Sequence, residues 1–340
     1  MNMKLIKKAG ILFALILVIS TMIPIRSIPA QAKAKVKLNH KKMTMQTGDW
    51  KKLKIKNLSY EIEDIKWSTD NKGVAKVSRK GWVVALVKGE CTITAEVLAT
   101  GKKYSCKVTV EAPDATQRVI DPEKPIIALS FDDGPGIYTA DLLETLKSYG
   151  VTATFFMCND NGGSNKIAAY ADLIRDMYNS GCEVANHTMK HPQLTKLSSS
   201  GMVDEISGNR KKIEAVIGTQ DRMLLRPPYG AYNDTVKSVA EAPLILWSVD
   251  TLDWKVKGQS NATELILAEV KKEAYDGGII LMHDIHKTSV EAVGTVVSWL
   301  IQQGYQVCSV SEMFEARGEE LENGVAYSRC ISAAKYKEKQ

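Results

Sequence analysis

Five short segments of the chain concentrate side chains that can act as acids, bases or metal ligands. Each follows a strand-like run, and together they hold three of the five histidines of the chain. Any one of them alone is compatible with an ordinary turn or a stiffened loop. Packing does not explain their joint occurrence at successive strand ends. The segments span residues 130–135, 187–192, 226–230, 250–254 and 281–284.

Two neighbouring carboxylates and a pair of histidines suit a divalent metal ion. Asp132 and Asp133 are adjacent, so they repel each other unless a cation or an arginine compensates. His187 and His191 are four residues apart, and Pro192 disfavours a helix at His191, so we expect a strand-end loop or frayed turn there. Two histidines and one carboxylate leave coordination positions open, as in catalytic zinc sites, and cobalt or another first-row ion fits the same ligands.

The remaining polar residues supply acid–base groups for a hydrolysis. The histidine pair has no glutamate between its members, unlike the H-E-x-x-H proteases, so a general base must come from Asp132 or Asp133. The other aspartate can then bind the metal, which polarises a carbonyl and activates water. His283 is available as a general acid, and Arg226, if buried, would keep the basic carboxylate ionised. The set predicts hydrolysis of an amide or an ester.

The elements that position these segments alternate between strand and helix after residue 122. Alternation predicts a parallel sheet, and seven units over ~190 residues favour a distorted β/α barrel, with a doubly wound sheet as the alternative. In a barrel, catalytic residues gather at the carboxyl ends of the strands. The strand-like runs are 126–131, 152–156, 183–186, 223–226, 244–248, 278–282 and 305–308, and helix-like stretches include 139–148, 167–179, 202–217 and 288–302.

In this order, the five segments resemble the motifs of the NodB-homology polysaccharide deacetylases, carbohydrate esterase family four. The resemblance covers about residues 123–315 and jointly the motifs are specific. It implies a distorted barrel of about seven β/α units and a metal-dependent enzyme that removes acetyl groups from a glycan. Ser130 stands where threonine is usual in the family, a change that we expect to matter little.

The resemblance also implies a role for each matched residue. Asp132 would be the general base, and His283 the general acid that protonates the leaving amine. The other implied roles are metal ligands (Asp133, His187 and His191), orientation of Asp132 (Arg226), a backbone N–H donor to the oxyanion (Tyr229), tuning of His283 (Asp253) and walls of the acetyl-methyl pocket (Trp254 and Leu281).

Residues 35–111 predict a small all-β sandwich, because short runs of alternating apolar and polar residues are separated by turn signals. The stretch 65–95 resembles the bacterial immunoglobulin-like (group 2) domain, whose members are usually spacers or adhesion modules. Cys91 and Cys106 share the inward parity of this pattern. They are the one pair we consider for a disulfide, with buried free thiols as the alternative.

The first 34 residues are typical of an export signal. Lys4, Lys7 and Lys8 precede an apolar run at 11–23, and small residues that fit a cleavage site follow at 30–34. We favour cleavage, with retention as a membrane anchor as the alternative. Either outcome places the rest of the chain outside the cytoplasm, secreted or associated with the wall or membrane. We assign 112–122 to a linker, 123–317 to the deacetylase domain and 318–340 to a polar tail.

The positive charge is concentrated near the start of the all-β region. Nine lysines and a single acid, Asp49, lie between Lys33 and Lys56. A solvated basic surface explains this, and contact with an anionic wall polymer is the sharper interpretation. No segment resembles a nucleic-acid module, so we expect no nucleic-acid partner.

The sequence therefore predicts an exported, metal-dependent deacetylase acting on an acetylated polysaccharide. Peptidoglycan N-acetylglucosamine is the default substrate, and N-acetylmuramic acid, chitin oligomers and an exopolysaccharide stay open. One alternative is an esterase that removes O-acetyl groups from a xylan-like polymer. The other is a non-catalytic wall-binding or adhesion protein, which would bind glycan without releasing acetate.

Overall fold

The computed structural model describes residues 35–57, 64–111, 118–160 and 165–330. The predicted export signal lies outside these ranges, as do residues 112–117 of the predicted linker and the last ten residues of the tail. From Val36 onward the chain forms one compact unit. None of the helices in the described ranges is long and apolar enough to cross a membrane.

The region 35–111 is all-β, as predicted. The strands are Lys37–Leu38 (β1), Lys42–Gln46 (β2), Trp50–Lys52 (β3), Ile55–Lys56 (β4), Ile65–Thr69 (β5), Ala75–Val77 (β6), Trp82–Ala85 (β7), Gly89–Val97 (β8) and Lys102–Glu111 (β9). A four-stranded sheet in the order β2-β9-β8-β5 packs with a three-stranded sheet in the order β3-β7-β6, and β1 pairs with β4. Burial alternates along β8, which places every second side chain in the core.

The two cysteines considered for a disulfide are free thiols. In the β8–β9 register, Cys91 lies opposite Val108 and Cys106 lies opposite Ile93. The two therefore face the same core as diagonal rather than direct neighbours, a placement in which cross-strand side chains are further apart. All six cysteines are buried and free, so the alternative of buried free thiols is confirmed.

Beyond residue 122, strands and helices alternate as the sequence predicts. The strands are Ile126–Asp132 (β10), Thr154–Met157 (β11), Glu183–Asn186 (β12), Leu244–Ile245 (β13), Val249–Asp250 (β14), Ile279–His283 (β15), Gln306–Cys308 (β16) and Ala326–Tyr327 (β17). The α-helices are Thr139–Tyr149 (α1), Lys166–Ala169 (α2), Ala171–Asn179 (α3), Ser199–Ile217 (α4), Asp234–Ala240 (α5), Asp253–Val256 (α6), Ala262–Glu273 (α7), Lys287–Gln302 (α8) and Val310–Ala316 (α9), with 3₁₀ turns at Leu194–Lys196 and Pro228–Gly230.

Strand β10 is the centre of a parallel sheet with the order β12-β11-β10-β15-β14, and β16 pairs with the amino-terminal half of β10. All seven residues of β10 are buried, as expected for a strand covered on both faces. Isolated bridges continue the sheet from Asn186 to Leu225 and from Leu225 to Leu244. The α/β architecture is confirmed. Among the described residues no strand pairing joins β14 to β17, so the seven-unit barrel stays a prediction.

Three predicted elements are shorter than expected. The run 244–248 forms a strand only at Leu244–Ile245 (β13). The run 223–226 forms only bridges at Leu225, because Pro227 and Pro228 follow and a proline cannot donate to a ladder. The predicted helix 167–179 is divided at Tyr170, whose φ of −108° is not helical. The tail, for which the sequence suggests no role, adds the short strand β17, which pairs with β13.

Candidate active site

The carboxyl end of β10 presents two acidic side chains to one cleft. Asp132 is the last residue of the strand and is 3% exposed. Asp133 follows with a φ of +73°, a left-handed conformation that turns the chain away from the strand. The Oδ1 atom of Asp133 is buried and has no hydrogen-bond partner among the described residues. Such an orphaned carboxylate oxygen calls for a cation.

Two histidines from the loop after β12 approach the same oxygen. The Nε2 atoms of His187 and His191 lie 3.7 and 3.4 Å from Asp133 Oδ1. His187 Nδ1 donates to the Arg226 carbonyl at 2.7 Å, and because a carbonyl only accepts, Nε2 is left as the unprotonated atom. His191 has a φ of +60° and lies outside any helix, as Pro192 predicts.

The three side chains fit a divalent metal. Ligand atoms of Asp133, His187 and His191 all lie within 4.8 Å of one another. Ligands ~2.1 Å from a tetrahedral zinc ion are spaced roughly 3.4 Å apart, close to the separations found. Together with the orphaned oxygen of Asp133, this makes the cluster a candidate metal centre with positions left for water and substrate.

Arg226 holds Asp132 from behind. Its fully buried guanidinium donates from Nη1 to Asp132 Oδ1 at 2.6 Å and to Ser130 Oγ at 2.9 Å. Its Nε and Nη2 atoms donate to the carbonyls of Ile245 and Leu246, both at 3.0 Å. Burial lowers the pKa of Arg226, and the Asp132 charge opposes that shift. One carboxylate oxygen of Asp132 is thereby fixed.

The second oxygen of Asp132 is turned toward the histidines. Asp132 Oδ2 lies 3.6 Å from His187 Nε2. Asp132 therefore borders the candidate metal centre without belonging to its three-residue cluster. This is the position that a proton acceptor beside a metal would need.

On the opposite wall, Asp253 and His283 form a buried pair. His283 Nδ1 donates to Asp253 Oδ1 at 2.9 Å, and the His283 backbone N–H donates to Asp253 Oδ2 at 2.7 Å. Burial would lower the pKa of His283, but the hydrogen bond and negative charge of Asp253 raise it to about 9. The pKa of Asp253 is lowered, because its hydrogen bonds and the His283 charge outweigh a burial that alone would raise it.

All ten residues singled out in the sequence converge here. Arg226 and Asp253 are fully buried behind the wall. The other eight line one cleft of about 400 Å³: Asp132, Asp133, His187, His191, Tyr229, Trp254, Leu281 and His283. Tyr229 packs against His191 with ring centres 4.7 Å apart. Leu281 is 4% exposed and Trp254 is 45% exposed, so the first belongs to the floor and the second to the rim.

Two residues that line the cleft were given no role from the sequence. Trp247 lies in the loop between β13 and β14, with its ring 5.8 Å from the Arg226 guanidinium. Asp250 closes β14, and its Oδ1 atom accepts a hydrogen bond from the Leu252 N–H at 3.0 Å. Trp247 lies within the run 244–248, which the sequence predicts as a continuous strand, so nothing in the pattern indicates a place in the cleft. Asp250 lies within the segment 250–254, and that position was the signal that could have identified it as a cleft residue.

Backbone strain is concentrated at the same site. Asp133, His191 and Tyr229 have φ of +73°, +60° and +60°. Non-glycine residues rarely adopt this region, and they do so mainly where the surroundings hold them in place for function. The cleft is therefore built at a conformational cost that the rest of the fold must offset.

A buried carboxyl supports the loop that carries Asp133. Asp284 Oδ2 accepts a hydrogen bond from Thr139 Oγ1 at 2.5 Å, and Thr139 Oγ1 accepts the Gly136 N–H at 2.8 Å. A Cβ on Gly134 would lie 2.2 Å from Asp284 Oδ2, so the loop crosses directly over this carboxyl. Burial raises the pKa of Asp284 to about 7. The sequence offered Asp284 only as the neighbour of His283.

Comparison with known families matches both parts of the chain. The polysaccharide deacetylase model matches residues 120–243. The model for the group 2 bacterial Ig-like domain matches residues 34–108. The resemblances seen in the sequence are therefore confirmed.

Named relatives extend the match beyond the family models. The peptidoglycan-N-acetylmuramic acid deacetylase PdaC of Bacillus subtilis is 36% identical over 59% of this chain, which spans 41% of the length of that relative. A peptidoglycan-N-acetylglucosamine deacetylase of Bacillus cereus is 34% identical to this chain. The match covers 61% of this chain and 74% of the length of that relative.

A solved structure agrees with these relatives. The structure described as T48 deacetylase with substrate is 36% identical and superposes with a TM-score of 0.56, covering 62% of this chain and the whole of that one. The chain belongs to the polysaccharide deacetylase family and carries a group 2 bacterial Ig-like domain ahead of its deacetylase domain.

Proposed function

We propose that this protein hydrolyses N-acetyl groups of peptidoglycan, with N-acetylglucosamine as the first substrate to test, and releases acetate. The observation that carries the proposal is the convergence of three elements in one cleft. These are the metal-fitting cluster, the Arg226–Asp132 pair and the Asp253–His283 pair. Membership of the polysaccharide deacetylase family supports hydrolysis of an acetyl group, and the named relatives act on peptidoglycan.

Asp133, His187 and His191 would hold the metal, with zinc as the first ion to test and cobalt or another first-row ion as alternatives. When bound, such an ion polarises the acetyl carbonyl and acidifies the attacking water. The hydrogen bond from His187 Nδ1 to the Arg226 carbonyl keeps Nε2 directed at Asp133. That fixed ring orientation is what a ligand needs.

Asp132 would act as the general base. Its Oδ1 is bonded to Arg226, so Oδ2 is the atom free to accept a proton from water next to the metal centre. The fully buried Arg226 guanidinium, bonded to Oδ1, holds the carboxylate in this orientation. The water that loses its proton then attacks the acetyl carbonyl carbon.

His283 would act as the general acid. Its Nδ1 is bonded to Asp253, so Nε2 is the atom available to the leaving nitrogen. A pKa of about 9 keeps the ring protonated at neutral pH. This favours N-acetyl over O-acetyl substrates, because an amine must be protonated to leave whereas an alkoxide needs less assistance.

Three further residues would bind the acetyl group. We assign the backbone N–H of Tyr229 as a donor to the developing oxyanion, the role that such donors fill in acyl transfer. Leu281 at the floor and Trp254 at the rim would enclose the methyl group. An aromatic and an aliphatic side chain suit a small apolar substituent.

The organisation of the chain fits an enzyme of the cell exterior. We propose an export signal at 1–34, the Ig-like domain at 35–111, a linker at 112–122, the deacetylase domain at 123–317 and a tail at 318–340. Secretion, or retention at the wall or membrane, would bring the cleft to its polymer. O-acetyl esterase activity on a xylan-like glycan is the second candidate.

The decisive experiment measures acetate released from purified peptidoglycan by the zinc-loaded chain. Asp132→Asn is compared with Asp172→Asn, a matched change at a side chain that is 98% exposed. We expect acetate from the parent and from Asp172→Asn, and none from Asp132→Asn. Acetate from an acetylated xylan but not from peptidoglycan would favour the esterase. Binding to glycan with no acetate from any polymer would contradict catalysis.

A further inference from the structure

One sheet of the Ig-like domain exposes two tryptophans on its outer face. In the β3–β7 register Trp50 pairs with Val84, and Lys52 pairs with Trp82. Side chains directly opposite each other, or two apart along a strand, point to the same face. These four residues therefore share one face, which we call the tryptophan face. Val83 points the other way, into the core of the domain.

The deacetylase domain covers one end of the tryptophan face. Val84 is 4% exposed and belongs to a hydrophobic cluster formed mostly by the deacetylase domain. Lys76, paired with Val84 across the sheet, donates to Gln302 Oε1 at 3.0 Å. The Lys88 N–H donates to the Ser148 carbonyl at 3.2 Å. These contacts fix the face relative to the enzyme.

The other end is open to solvent. Trp50 is 47% exposed and Trp82 is 42% exposed, and Lys52 Nζ lies 5.0 Å from the Trp82 ring centre. Large exposed aromatic groups next to one another typically mark a binding surface. Trp50 also borders a cavity of about 520 Å³ that continues along the deacetylase domain, with Tyr149, Tyr305, Arg118 and Lys124 among its lining residues.

The charge of the chain is divided between its two parts. Residues 35–111 hold 17 lysines and arginines against eight acids, a net charge of +9, whereas residues 112–340 hold 23 against 31, a net charge of −8. The salt bridges of Lys51, Lys103 and Lys107 have partners inside the Ig-like domain. A domain with such a surplus attracts a polyanion.

We propose that the tryptophan face binds a carboxylate-bearing glycan strand. The choice of peptidoglycan as that strand rests on the proposed function. Indole rings can lie against the apolar faces of sugar rings, and Lys52 is placed to pair with a carboxylate beside them. The combination of aromatic rings with cationic side chains favours a glycan over a sugar-free polyanion.

The site is separate from the catalytic cleft. Ser148 and Gln302 lie at the carboxyl-terminal ends of α1 and α8, which lead into the amino-terminal ends of the following strands. The cleft lies at the opposite ends of the strands. The protein can therefore hold one stretch of polymer at the tryptophan face while another stretch enters the cleft.

The test measures co-sedimentation of the full chain with insoluble peptidoglycan freed of teichoic acid. An Asp132→Asn background prevents turnover during the measurement. Trp50→Ala/Trp82→Ala is compared with Leu98→Ala, which removes another exposed apolar side chain of the same domain. We expect the double variant to need roughly tenfold more peptidoglycan for half-saturation. Leu98→Ala should bind as the parent does, and Trp50→Phe/Trp82→Phe should recover part of the binding.

Folding and catalysis are checked separately. With Asp132 restored, the double alanine variant should release acetate from a short soluble oligomer within about twofold of the parent rate, since the cleft is remote. Equal sedimentation of the double variant and Leu98→Ala would overturn the proposal. So would binding that requires teichoic acid on the wall, because the occupant would then be a polyol phosphate. If the parent released no acetate, the proposed function would be contradicted, and the binding result would still stand.

Discussion

Asp253 hydrogen-bonds to His283 at two points, through Oδ1 to the ring at 2.9 Å and through Oδ2 to the backbone N–H at 2.7 Å. One contact sets the charge of the ring and the other sets its position. A substitution that keeps the shape of Asp253 but removes its charge separates the two effects.

We expect Asp253→Asn to move the alkaline limb of the kcat/KM profile to lower pH. His283 must be protonated to act as an acid. Burial lowers its pKa, but the hydrogen bond and charge of Asp253, together with the charges of Asp132 and Asp133, raise it from 6.5 to about 9. Without that charge, burial remains and lowers the pKa, so the active protonation state is lost earlier as pH rises. Activity on N-acetyl substrates at pH 5–9 in the metal-loaded enzyme checks this. If the alkaline limb did not move, deprotonation of His283 would not be the cause of that limb.

The same pair affects stability with a definite sign. A histidine whose pKa is higher in the folded state stabilises the fold most fully below its unfolded pKa of 6.5. That contribution is lost as pH rises from there through about 9. The free energies of unfolding of the parent and of Asp253→Asn, measured with urea at pH 6 and pH 9.5, should therefore differ more at pH 6. A constant difference would contradict this linkage.

The two adjacent aspartates should respond differently to substitution. We expect Asp132→Asn to abolish turnover and retain zinc, because Asp133, His187 and His191 are unchanged. His187→Ala should lose both zinc and activity. Metal content by atomic absorption, measured beside acetate release, separates the outcomes. Loss of zinc from Asp132→Asn would instead show that the roles of the two aspartates are exchanged.

Removing the Arg226 charge should cost stability as well as activity. Arg226→Met leaves the buried carboxylate of Asp132 without its partner, a loss of about 3–5 kcal/mol for a broken buried ion pair. Asp132→Asn in the same chain removes the stranded charge and should restore part of that loss. Urea unfolding of both single variants and the double variant provides the cycle. Strictly additive losses would contradict the pairing.

The loop over Asp284 should tolerate a methyl group at one glycine and not at its neighbour. A Cβ at Gly134 would lie 2.2 Å from Asp284 Oδ2, whereas at Gly136 the nearest atom is 3.4 Å away. We therefore expect Gly134→Ala to lower the Tm and weaken zinc binding, because it displaces the loop that carries Asp133. Gly136→Ala is the matched control and should change little. Equal behaviour of the two variants would contradict the close approach.

The catalytic residues of this protein are easier to predict from the sequence than the strand pairings at the end of its sheet. Asp132, His187 and His283 are visible because polar residues at strand ends interrupt long apolar runs. The pairing of β17 with β13 is not visible, because two residues of strand carry no periodicity. Trp247 was hidden for a related reason, since a tryptophan in an apolar run looks like core.

Packing between distant segments accounts for the other omissions. Val84 looks like an outward position of an ordinary sandwich, and its burial depends on a second domain docking there. The separation of Cys91 and Cys106 depends on the exact register of β8 against β9, whereas the sequence fixes only the side of the sheet that each residue faces.

The six cysteines have a consequence for the compartment in which the chain folds. All are buried thiols, and burial raises the pKa of Cys182 and of Cys330 to about 12, so the reactive thiolate is scarce at neutral pH. The fold then owes nothing to an oxidant or to a disulfide isomerase. Its stability does not depend on a disulfide, and the enzyme would keep the same covalent structure under reducing conditions as in air.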